Sequence, residues 1–434
     1  MEDYFFKAQN NFLCNTSYPL NKENWLEYKK EYYDLFQDEE KINFYIHIPF
    51  CKKLCAFCEY IKYPKMNLDI EEKYVDILEK DINKFIENHA NFKLHGLDIG
   101  GGTPTALDFK PFNHLMSICK DIINNSELKE DFESSIEGTF NTINEEKLKV
   151  IHNAGFKRIS LGIQTMNLNI LKKNNRENPE IEDILEKCKL IKKVGIEKIN
   201  IDFMYGLEGQ TFEDLDNAIE LVKSMDVEQV TLYEMRYNLI SKNKKIDKDY
   251  LNEQYEYIYN KLINLGYYSR FGQNTFSKNK VDLGLSSYLR YRMIDNISYK
   301  GFGISAQSKS KIGISYNIGK TKKTLEECMK YDSFIEEDLY VLPKEELLAK
   351  YIAISMYYGK FKISIIESII NKSPLEYYKE EFEFLKKNEY IEIKNDEVIL
   401  TKKGFRYYSA VGALFYSKNV KTYLLGCESK CMKK

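Results

Sequence analysis

The sequence predicts an α/β fold built around a (β/α)6 open barrel or an open parallel sheet, followed by a smaller α+β unit. From residue 43 to about 237, six short apolar runs alternate with amphipathic stretches of helical period. The runs are β-branched or aromatic and mostly apolar on both faces, as parallel strands covered by helices are. Because the strands of such folds end at one mouth, we expect the chemistry of this protein there.

The predicted strands and helices alternate regularly along this part of the chain. The strands are NFYIHI (43–48), LHGLDIG (94–100), DFESSIEGTF (131–140), RISLGIQT (158–165), KINIDFMYG (198–206) and QVTLYEMRY (229–237). After the first strand, Ile70, Tyr74, Leu78, Ile82 and Ile86 recur every four residues, which indicates a helix with one buried stripe. Further helical stripes lie near 108–124, 144–154, 179–194 and 212–225.

Five segments are predicted along the chain. They are an N-terminal extension (1–42), the barrel core (43–237), a barrel extension on the substrate side (238–335), a winged-helix-like α+β domain (336–418) and a tail (419–434). The fourth segment has helical patterns at 344–358, 363–371 and 374–388. These precede a hairpin, YIEIKNDEVILT (390–401), which turns at Asn395–Asp396 before a last helix begins at Lys402.

Composition and charge exclude several classes of protein. The 64 Lys plus Arg against 66 Asp plus Glu give a net charge of −2, which argues against a dedicated nucleic-acid binder. No run approaches the roughly 18 apolar residues of a membrane span. The first residues, MEDYFFKAQNNF, lack the basic and apolar regions of a secretory signal. We therefore expect a cytoplasmic protein with no nucleic-acid partner and no membrane span.

The sharpest chemical signal is a group of three cysteines just beyond the first strand. Cys51, Cys55 and Cys58 have the spacing C-x3-C-x2-C, which lets one loop direct three thiolates at a cubane iron–sulfur cluster. The competing interpretation is structural zinc, which usually has four Cys or His ligands in paired C-x2-C groups, and this spacing does not supply them. The separate pair Cys427-x3-Cys431 lies in a Lys-rich terminal tail that we expect to fray, with an auxiliary cluster as the alternative.

The segment Tyr45-Ile-His-Ile-Pro-Phe-Cys51, together with Cys55 and Cys58, resembles the signature of radical S-adenosylmethionine (SAM) enzymes. It is similar in particular to the oxygen-independent coproporphyrinogen III oxidase (HemN/HemW-type) superfamily. The resemblance implies a partial (β/α)6 radical SAM barrel and a 4Fe–4S cluster on the three cysteines, with SAM on the open iron. Reduction then cleaves SAM to methionine and a 5′-deoxyadenosyl radical, which abstracts hydrogen from a substrate. A reducing flavodoxin or ferredoxin is the implied partner.

The resemblance also implies cofactor-binding residues at successive strand ends. Gly100-Gly-Gly-Thr-Pro-Thr105 matches the glycine-rich motif that receives the SAM amino group. A bulkier residue at Gly101 or Gly102 is therefore expected to block SAM binding while the cluster still assembles. Arg176 lies twelve residues after Gln164, the spacing found in enzymes of the family that bind a second SAM. The resemblance therefore implies one SAM or two. The implied cofactor-binding set is Tyr45, Phe57, Gly101, Gly102, Thr103, Glu137, Gln164, Arg176, Asp202 and Gln307.

Departures from the family pattern concern the substrate. The decarboxylating enzyme has a further cysteine soon after the triad, where this chain has Glu59-Tyr60, and the heme-chaperone branch carries an H-N-x-x-Y-W segment that this chain lacks. We therefore rank methyl or adenosyl transfer, or a radical rearrangement, on a tetrapyrrole or other conjugated small molecule above decarboxylation of coproporphyrinogen III. Two alternatives remain. The protein is either an enzyme that decarboxylates coproporphyrinogen III or a non-catalytic protein that binds or delivers heme. Glu234 and Arg236 are either substrate contacts or an ion pair at the barrel rim.

Overall fold

The computed structural model of this chain describes residues 1–11, 18–19, 21–89, 91–236, 247–319 and 323–431, without the side chains of residues 10, 11 and 426–431. The described strands are β1 (Lys41–Ile48), β2 (Phe50–Cys51), β3 (Tyr63–Pro64), β4 (Lys93–Gly101), β5 (Glu127–Leu128), β6 (Ser134–Gly138), β7 (Arg158–Gln164), β8 (Lys198–Tyr205), β9 (Gln229–Glu234), β10 (Thr275–Ser277), β11 (Ser298–Phe302), β12 (Gln307–Lys309), β13 (Gly313–Asn317), β14 (Glu336–Val341), β15 (Lys360–Lys362), β16 (Ile391–Lys394) and β17 (Glu397–Leu400).

Helices separate most of these strands. The α-helices are Glu2–Asn11, Leu68–Asn88, Phe109–Asn125, Glu145–Asn153, Leu168–Lys173, Ile181–Val194, Phe212–Met225, Lys248–Asn264, Ser287–Met293, Leu325–Cys328, Lys344–Tyr357, Ile363–Ile370, Pro374–Tyr377, Lys379–Lys387, Lys402–Phe405, Tyr408–Ala413 and Lys418–Cys431. Short 3-10 helices cover Lys22–Tyr28, Pro104–Ala106 and Phe140–Thr142. The helices predicted within the barrel lie within about two residues of these bounds.

Six neighbouring parallel strands form the core of one mixed sheet. Their order is β1-β4-β6-β7-β8-β9, which follows the chain. On the other side of β1, β11 adds a further parallel strand, and β12, β13 and β14 follow in antiparallel pairs. At the opposite edge, β10 pairs antiparallel with β9. The predicted parallel α/β core is confirmed, and the region after it, which has no clear pattern in the sequence, supplies backbone partners for both edges of that core.

The helix Leu68–Asn88 illustrates how the predicted stripes position the strand ends. Its first turn is capped by Asn67, whose side chain accepts a hydrogen bond from the Ile70 N–H. Its buried face includes Tyr74, which is fully enclosed. The Tyr74 hydroxyl donates to the carbonyl of His47 at 2.7 Å and accepts from the Ile304 N–H at 3.0 Å. One residue of the apolar stripe therefore fixes the end of β1, just before the cysteine loop, against the chain that follows β11.

The C-terminal elements lie at the predicted positions, with one difference. The hairpin of β16 and β17 turns at Asn395, whose φ of 52° is left-handed, and β15 adds a third strand to it. The helix predicted over 374–388 is divided at Tyr378, whose backbone (φ −113°, ψ 37°) is not helical. The winged-helix-like assignment and the five domain boundaries stay predictions.

The N-terminal segment packs into the C-terminal hydrophobic cluster. Phe5 and Trp25 are fully buried there beside side chains from the helix Lys344–Tyr357 and from β17. The Phe5 ring stacks on Tyr390 with centroids 4.8 Å apart, and the Trp25 indole donates to Glu346 at 2.9 Å. Residues 1–42, predicted as an extension, thus share a core with residues more than 300 positions away.

The last helix contains the two tail cysteines. The backbone of the helix Lys418–Cys431 includes both Cys427 and Cys431, but their side chains lie outside the described residues. Among the described residues, the structure contains no helix with the length and apolar character of a membrane span.

We expect Phe5→Ala to destabilise the protein by about 3–5 kcal/mol, because it removes a fully buried ring from the C-terminal cluster. Phe6→Ala is the matched control, since the Phe6 side chain is 42% exposed, and it should cost less than about 1 kcal/mol. Urea denaturation followed by circular dichroism measures both values. Equal losses for the two variants would contradict the shared core.

Candidate functional site

The carboxyl ends of the parallel strands open into a cavity of about 560 Å³. Its wall includes the loop after β2, the ends of β4, β6, β7, β8 and β9, the segment 284–293 and Tyr357. Of the residues predicted from the sequence, the cavity is lined by Cys51, Cys55, Phe57, Cys58, Gly101, Gly102, Thr103, Glu137, Gln164, Arg176, Asp202, Glu234 and Arg236. The predicted set therefore converges on one site, with two exceptions described below.

The cysteine loop is held in place by backbone and side-chain hydrogen bonds. Cys51, Cys55 and Cys58 are free thiols; Cys51 is buried and the other two are half-buried. The Thr103 hydroxyl lies 3.6 Å from the Cys51 sulfur, and the amide of Asn175 donates to the carbonyl of Leu54 at 3.1 Å. The loop is therefore anchored from two sides and presents its sulfurs to the cavity.

The donor set fits a cubane cluster better than a single metal ion. Among the described residues, no group of three or more His, Cys, Asp or Glu side chains is arranged to hold one ion. In a 4Fe–4S cluster each thiolate binds a different iron, so the sulfurs need not converge on one point. Cys51, Cys55 and Cys58 lining a common cavity meet that looser requirement.

Two glycines allow the end of β4 to pack closely against the start of the cysteine loop. The Gly102 N–H donates to the carbonyl of Ile48 at 2.8 Å, and a Cβ added at Gly102 would lie 2.7–2.9 Å from backbone atoms of residues 48–50. A Cβ at Gly101, whose φ is +109°, would lie 2.4 Å from the His47 ring. Replacing Gly102 thus displaces the loop that carries Cys51, which revises the expectation that a bulkier residue leaves cluster assembly unaffected.

Glu137 places a carboxyl group at the centre of the cavity. One of its oxygens accepts a hydrogen bond from the Gly101 N–H at 3.1 Å. Burial, together with the negative charge of Asp202, raises the pKa of Glu137 to about 7. An enclosed carboxyl of this kind gains stabilisation from a cationic ligand.

Gln164 and Arg176 contain buried polar atoms without partners among the described residues. These atoms are Gln164 Oε1 and Arg176 Nε. Gln164 has a left-handed backbone (φ 71°), and the Arg176 guanidinium donates to the carbonyl of Gly162 and lies 3.7 Å from the Cys55 sulfur. Buried polar groups are normally paired, so these two atoms indicate a polar ligand between the cysteine loop and β7.

Asp202 is fixed by its neighbours on the barrel wall. Its carboxylate accepts from the Ser160 hydroxyl at 3.1 Å and from the Asn200 amide at 2.8 Å. Burial raises its pKa, while the cation Arg158 opposes that shift. Asp202 therefore lies in a rigid position beside Glu137.

Tyr45 and Gln307 do not line the cavity. The Tyr45 ring stacks on Tyr288 with centroids 5.6 Å apart. Gln307 lies on the antiparallel strand β12, where its side chain accepts from the Tyr299 hydroxyl and donates to the Tyr316 hydroxyl. Because β12 lies outside the six parallel strands, the side chain of Gln307 is not brought to their carboxyl ends.

Glu234 and Arg236 each contact a different residue of the cavity region. The Arg236 guanidinium forms an ion pair with Glu59 at 3.4 Å and lies over the Tyr357 ring at 5.3 Å. The Tyr205 hydroxyl donates to Glu234 at 3.5 Å. The rim ion pair therefore exists, but it joins Arg236 to the residue after Cys58.

The sequence analysis missed several charged residues of the interior. Asp98 on β4 accepts from the Ser286 hydroxyl at 2.6 Å, and burial raises its pKa to about 7. Arg158 on β7 donates to Gln229 at 2.7 Å. The available signal was a charged residue within a run of buried strand residues, since such a side chain must face either the barrel interior or an internal partner.

We expect Gly102→Ala to lower the iron content of the reconstituted protein, because the added methyl group displaces the backbone of the cysteine loop; overpacking of this kind costs about 1–3 kcal/mol. Gly266→Ala is the control, since a Cβ at Gly266 meets nothing within 4 Å; its positive φ adds a backbone strain that Gly102 does not have, so the control isolates the effect of the close contact on the cluster. Iron and sulfide quantitation on both variants provides the comparison. An unchanged iron content in Gly102→Ala would contradict this close packing.

The raised pKa of Asp98 predicts a specific pH dependence of stability. In the folded protein Asp98 takes up its proton at about pH 7, against 3.8 for an ordinary aspartate, so folding is favoured below pH 4 and this contribution is lost as the pH rises to about 7. Each pKa unit corresponds to about 1.4 kcal/mol. The unfolding free energy of Asp98→Asn should fall less steeply than that of the parent across this window, as measured by urea denaturation at several pH values.

Asp131→Asn provides the control for this measurement. Its pKa is lowered by the Tyr291 hydroxyl and by Arg290, against the opposing effect of burial. Because that group titrates below pH 3.8 in the folded protein, its removal should reduce stability by a similar amount at every pH above 5. Parallel curves for the parent and Asp98→Asn would refute the assignment to Asp98.

Comparisons with known proteins agree with this site. Residues 45–222 match the model of the radical SAM superfamily. The heme chaperone HemW of Bacillus subtilis is 29% identical over 287 residues, which cover 64% of this chain and 73% of that protein. The oxygen-independent coproporphyrinogen III oxidase of Salmonella typhimurium is 26% identical over 330 residues, which cover 71% of this chain and 70% of that protein.

The fold also matches a solved structure. Coproporphyrinogen III oxidase (HemN) from Escherichia coli superposes with a TM-score of 0.74 at 22% identity, covering 90% of this chain and 95% of that chain. The three thiols, the glycine-rich strand end and the parallel strands β4, β6, β7 and β8 lie within the matched region of the sequence. Residues 45–222 therefore match the radical SAM superfamily, and the relatives support the HemN/HemW-type group of that superfamily for this chain.

Proposed function

We propose that this protein cleaves SAM reductively at a 4Fe–4S cluster bound by Cys51, Cys55 and Cys58, and that it acts on a conjugated, carboxylate-bearing small molecule such as a tetrapyrrole. The match to the radical SAM superfamily implies both the cluster and SAM. When bound, the cluster supplies the electron that cleaves SAM. The observation that carries the proposal is that three free thiols and two unpartnered polar atoms, Gln164 Oε1 and Arg176 Nε, line one enclosed cavity.

The residues around the thiols have the chemistry to hold SAM. The Glu137 carboxylate accepts a hydrogen bond from the Gly101 N–H and can accept another from the SAM amino group. The Arg176 guanidinium suits the SAM carboxylate, because a planar fork donates parallel hydrogen bonds. Its Nε is available, while its other nitrogens contact Gly162 and Cys55. A second SAM is part of this proposal, and its site contains Arg176 and Asp202.

The substrate side of the cavity supports a flat aromatic ligand. Tyr60, Tyr233 and Tyr357 line it together with Arg236. Aromatic rings stack on conjugated ligands, and guanidinium groups pair with carboxylates. The relatives include a heme chaperone and coproporphyrinogen III oxidases, which favours a tetrapyrrole for this chain.

The type of reaction is a finer question within this proposal. The sequence analysis ranks methyl or adenosyl transfer, or a radical rearrangement, first, and the names of the relatives do not support methyl transfer in particular. Those names favour the two alternatives, oxidative decarboxylation of coproporphyrinogen III and heme delivery without turnover. A flavodoxin or ferredoxin is proposed as the electron donor; the exposed Lys52 and Lys53 beside the cysteines suit an acidic partner.

Anaerobic incubation with SAM and dithionite tests the proposal. The parent protein should release 5′-deoxyadenosine, and the Cys51→Ala/Cys55→Ala/Cys58→Ala variant should bind almost no iron and release none. Cys188→Ala is the matched control, because Cys188 is a buried cysteine outside the cavity and its loss should leave both readouts unchanged. Failure of the iron-loaded parent to cleave SAM would sink the catalytic proposal.

The same samples separate the reaction types. S-adenosylhomocysteine formed with substrate present indicates methyl transfer, and CO₂ released from coproporphyrinogen III indicates decarboxylation. Stoichiometric heme binding without SAM cleavage indicates heme delivery. Equilibrium dialysis of SAM gives the number of sites, and a value of one per chain would exclude the second SAM.

A further inference from the structure

Arg292 is a cation of the cavity wall that has no acidic partner among the described residues. It lies on the helix Ser287–Met293, outside the six parallel strands, and it faces the cavity. Its guanidinium lies over the Tyr299 ring at 4.6 Å and over the Tyr288 ring at 5.7 Å. One of its terminal nitrogens donates to the Tyr288 hydroxyl at 3.2 Å. Aromatic faces thus orient the group without neutralising it.

The Nε of Arg292 is buried and has no hydrogen-bond partner among the described residues. A guanidinium has five N–H donors and stays charged at any pH the protein meets. Leaving such a donor buried and unpaired is costly, and the side chain that carries it lines a cavity, so the guanidinium indicates a ligand that supplies an acceptor or a counter-charge there.

Other arginines near this wall are already paired. Arg158 donates to Gln229 and Ser135, and Arg236 pairs with Glu59. Arg290, two residues before Arg292, forms an ion pair with Asp131 at 2.8 Å. Of these four side chains, only Arg292 has a buried N–H that no described residue accepts from.

Arg292 shares its part of the cavity wall with three apolar side chains. Leu285, Leu289 and Met293 line the same wall, and none of them offers a hydrogen bond to an anion. A free inorganic anion would gain nothing from these three side chains. The combination suits an anionic group attached to an apolar body, with the body against the aliphatic side chains and the anion at the guanidinium.

We propose that Arg292 binds a carboxylate of the substrate, while Leu285, Leu289 and Met293 contact the apolar body that carries it. This inference rests on the proposed function, since it deepens the recognition of the substrate in the same cavity. It assigns the selection of carboxylate-bearing ligands to a helix that follows the six parallel strands, whereas the residues proposed for SAM lie on or next to those strands.

Two probes test this proposal. Coproporphyrin III carries four carboxylates on a flat aromatic body, and its tetramethyl ester presents the same body without charge. The parent should bind the tetraacid more tightly than the ester, as measured by fluorescence titration of the iron-loaded protein. Arg292→Gln should weaken binding of the tetraacid on the order of 10- to 100-fold, because one charge-assisted pair is lost, and should leave the ester unaffected.

Arg290→Gln is the matched control, because Arg290 lies on the same helix but pairs with Asp131 and does not line the cavity. It should change the affinity for neither probe. Arg292→Lys keeps the charge but not the planar fork, and an intermediate loss is expected. Circular dichroism and iron content establish that each variant is folded and loaded; should Arg292→Gln fail to fold, the lysine variant carries the test.

The outcomes separate this inference from the proposed function. An equal loss for the tetraacid and the ester, or no loss for the tetraacid, overturns the role of Arg292 even if the parent cleaves SAM. A selective loss for the tetraacid supports that role even if the parent releases no 5′-deoxyadenosine, in which case the cavity binds its ligand without turnover.

Discussion

The close backbone contact between the end of β4 and the start of the cysteine loop governs the whole site. The Gly102 and Thr103 N–H groups donate to the carbonyls of Ile48 and Phe50, both at 2.8 Å. This contact requires a residue without a side chain at Gly102. Because the loop is held by the backbone, Cys51 is placed at the strand mouth without depending on the packing of its own side chain. The position of the thiols therefore follows from sheet geometry.

Arg158 is the cation that influences all three acids of the barrel interior. Arg158 lowers the pKa of Asp98, Glu137 and Asp202, but burial has the larger effect and raises all three. Asp98 and Glu137, whose pKa values rise to about 7, are partly protonated near neutral pH, and a cationic ligand favours the charged form of all three acids. The buried acids of the interior would therefore be stabilised in their charged form by a cationic ligand. SAM, whose amino and sulfonium groups are positive, is such a ligand.

The C-terminal unit contributes to the cavity as well as to its own core. The helix Lys344–Tyr357 ends with Tyr357 under Arg236. On the same helix, the Ser355 hydroxyl donates to the carbonyl of Met293 at 2.6 Å, and the Tyr351 hydroxyl donates to that of Ile294 at 3.1 Å. The cavity wall that contains Met293 is therefore held by residues far along the chain, whereas the cysteine loop is held by the end of β4.

The parallel core could be predicted from the amino-acid sequence alone, because short runs that are apolar on both faces are typical of parallel strands covered by helices. The cysteine loop could also be predicted, because its three cysteines lie within eight residues of the chain. Glu137, Gln164 and Asp202 were indicated by the resemblance to the family, whose motifs they match at successive strand ends. Tertiary structure decided the rest. The pairing of Arg236 with Glu59 joins residues 177 positions apart. Arg292 lacks an acidic partner because the described elements packed around it bring no carboxylate to its guanidinium. Such properties arise only when distant segments share one enclosed volume, because charge pairing and burial are set by distance in space and not along the chain.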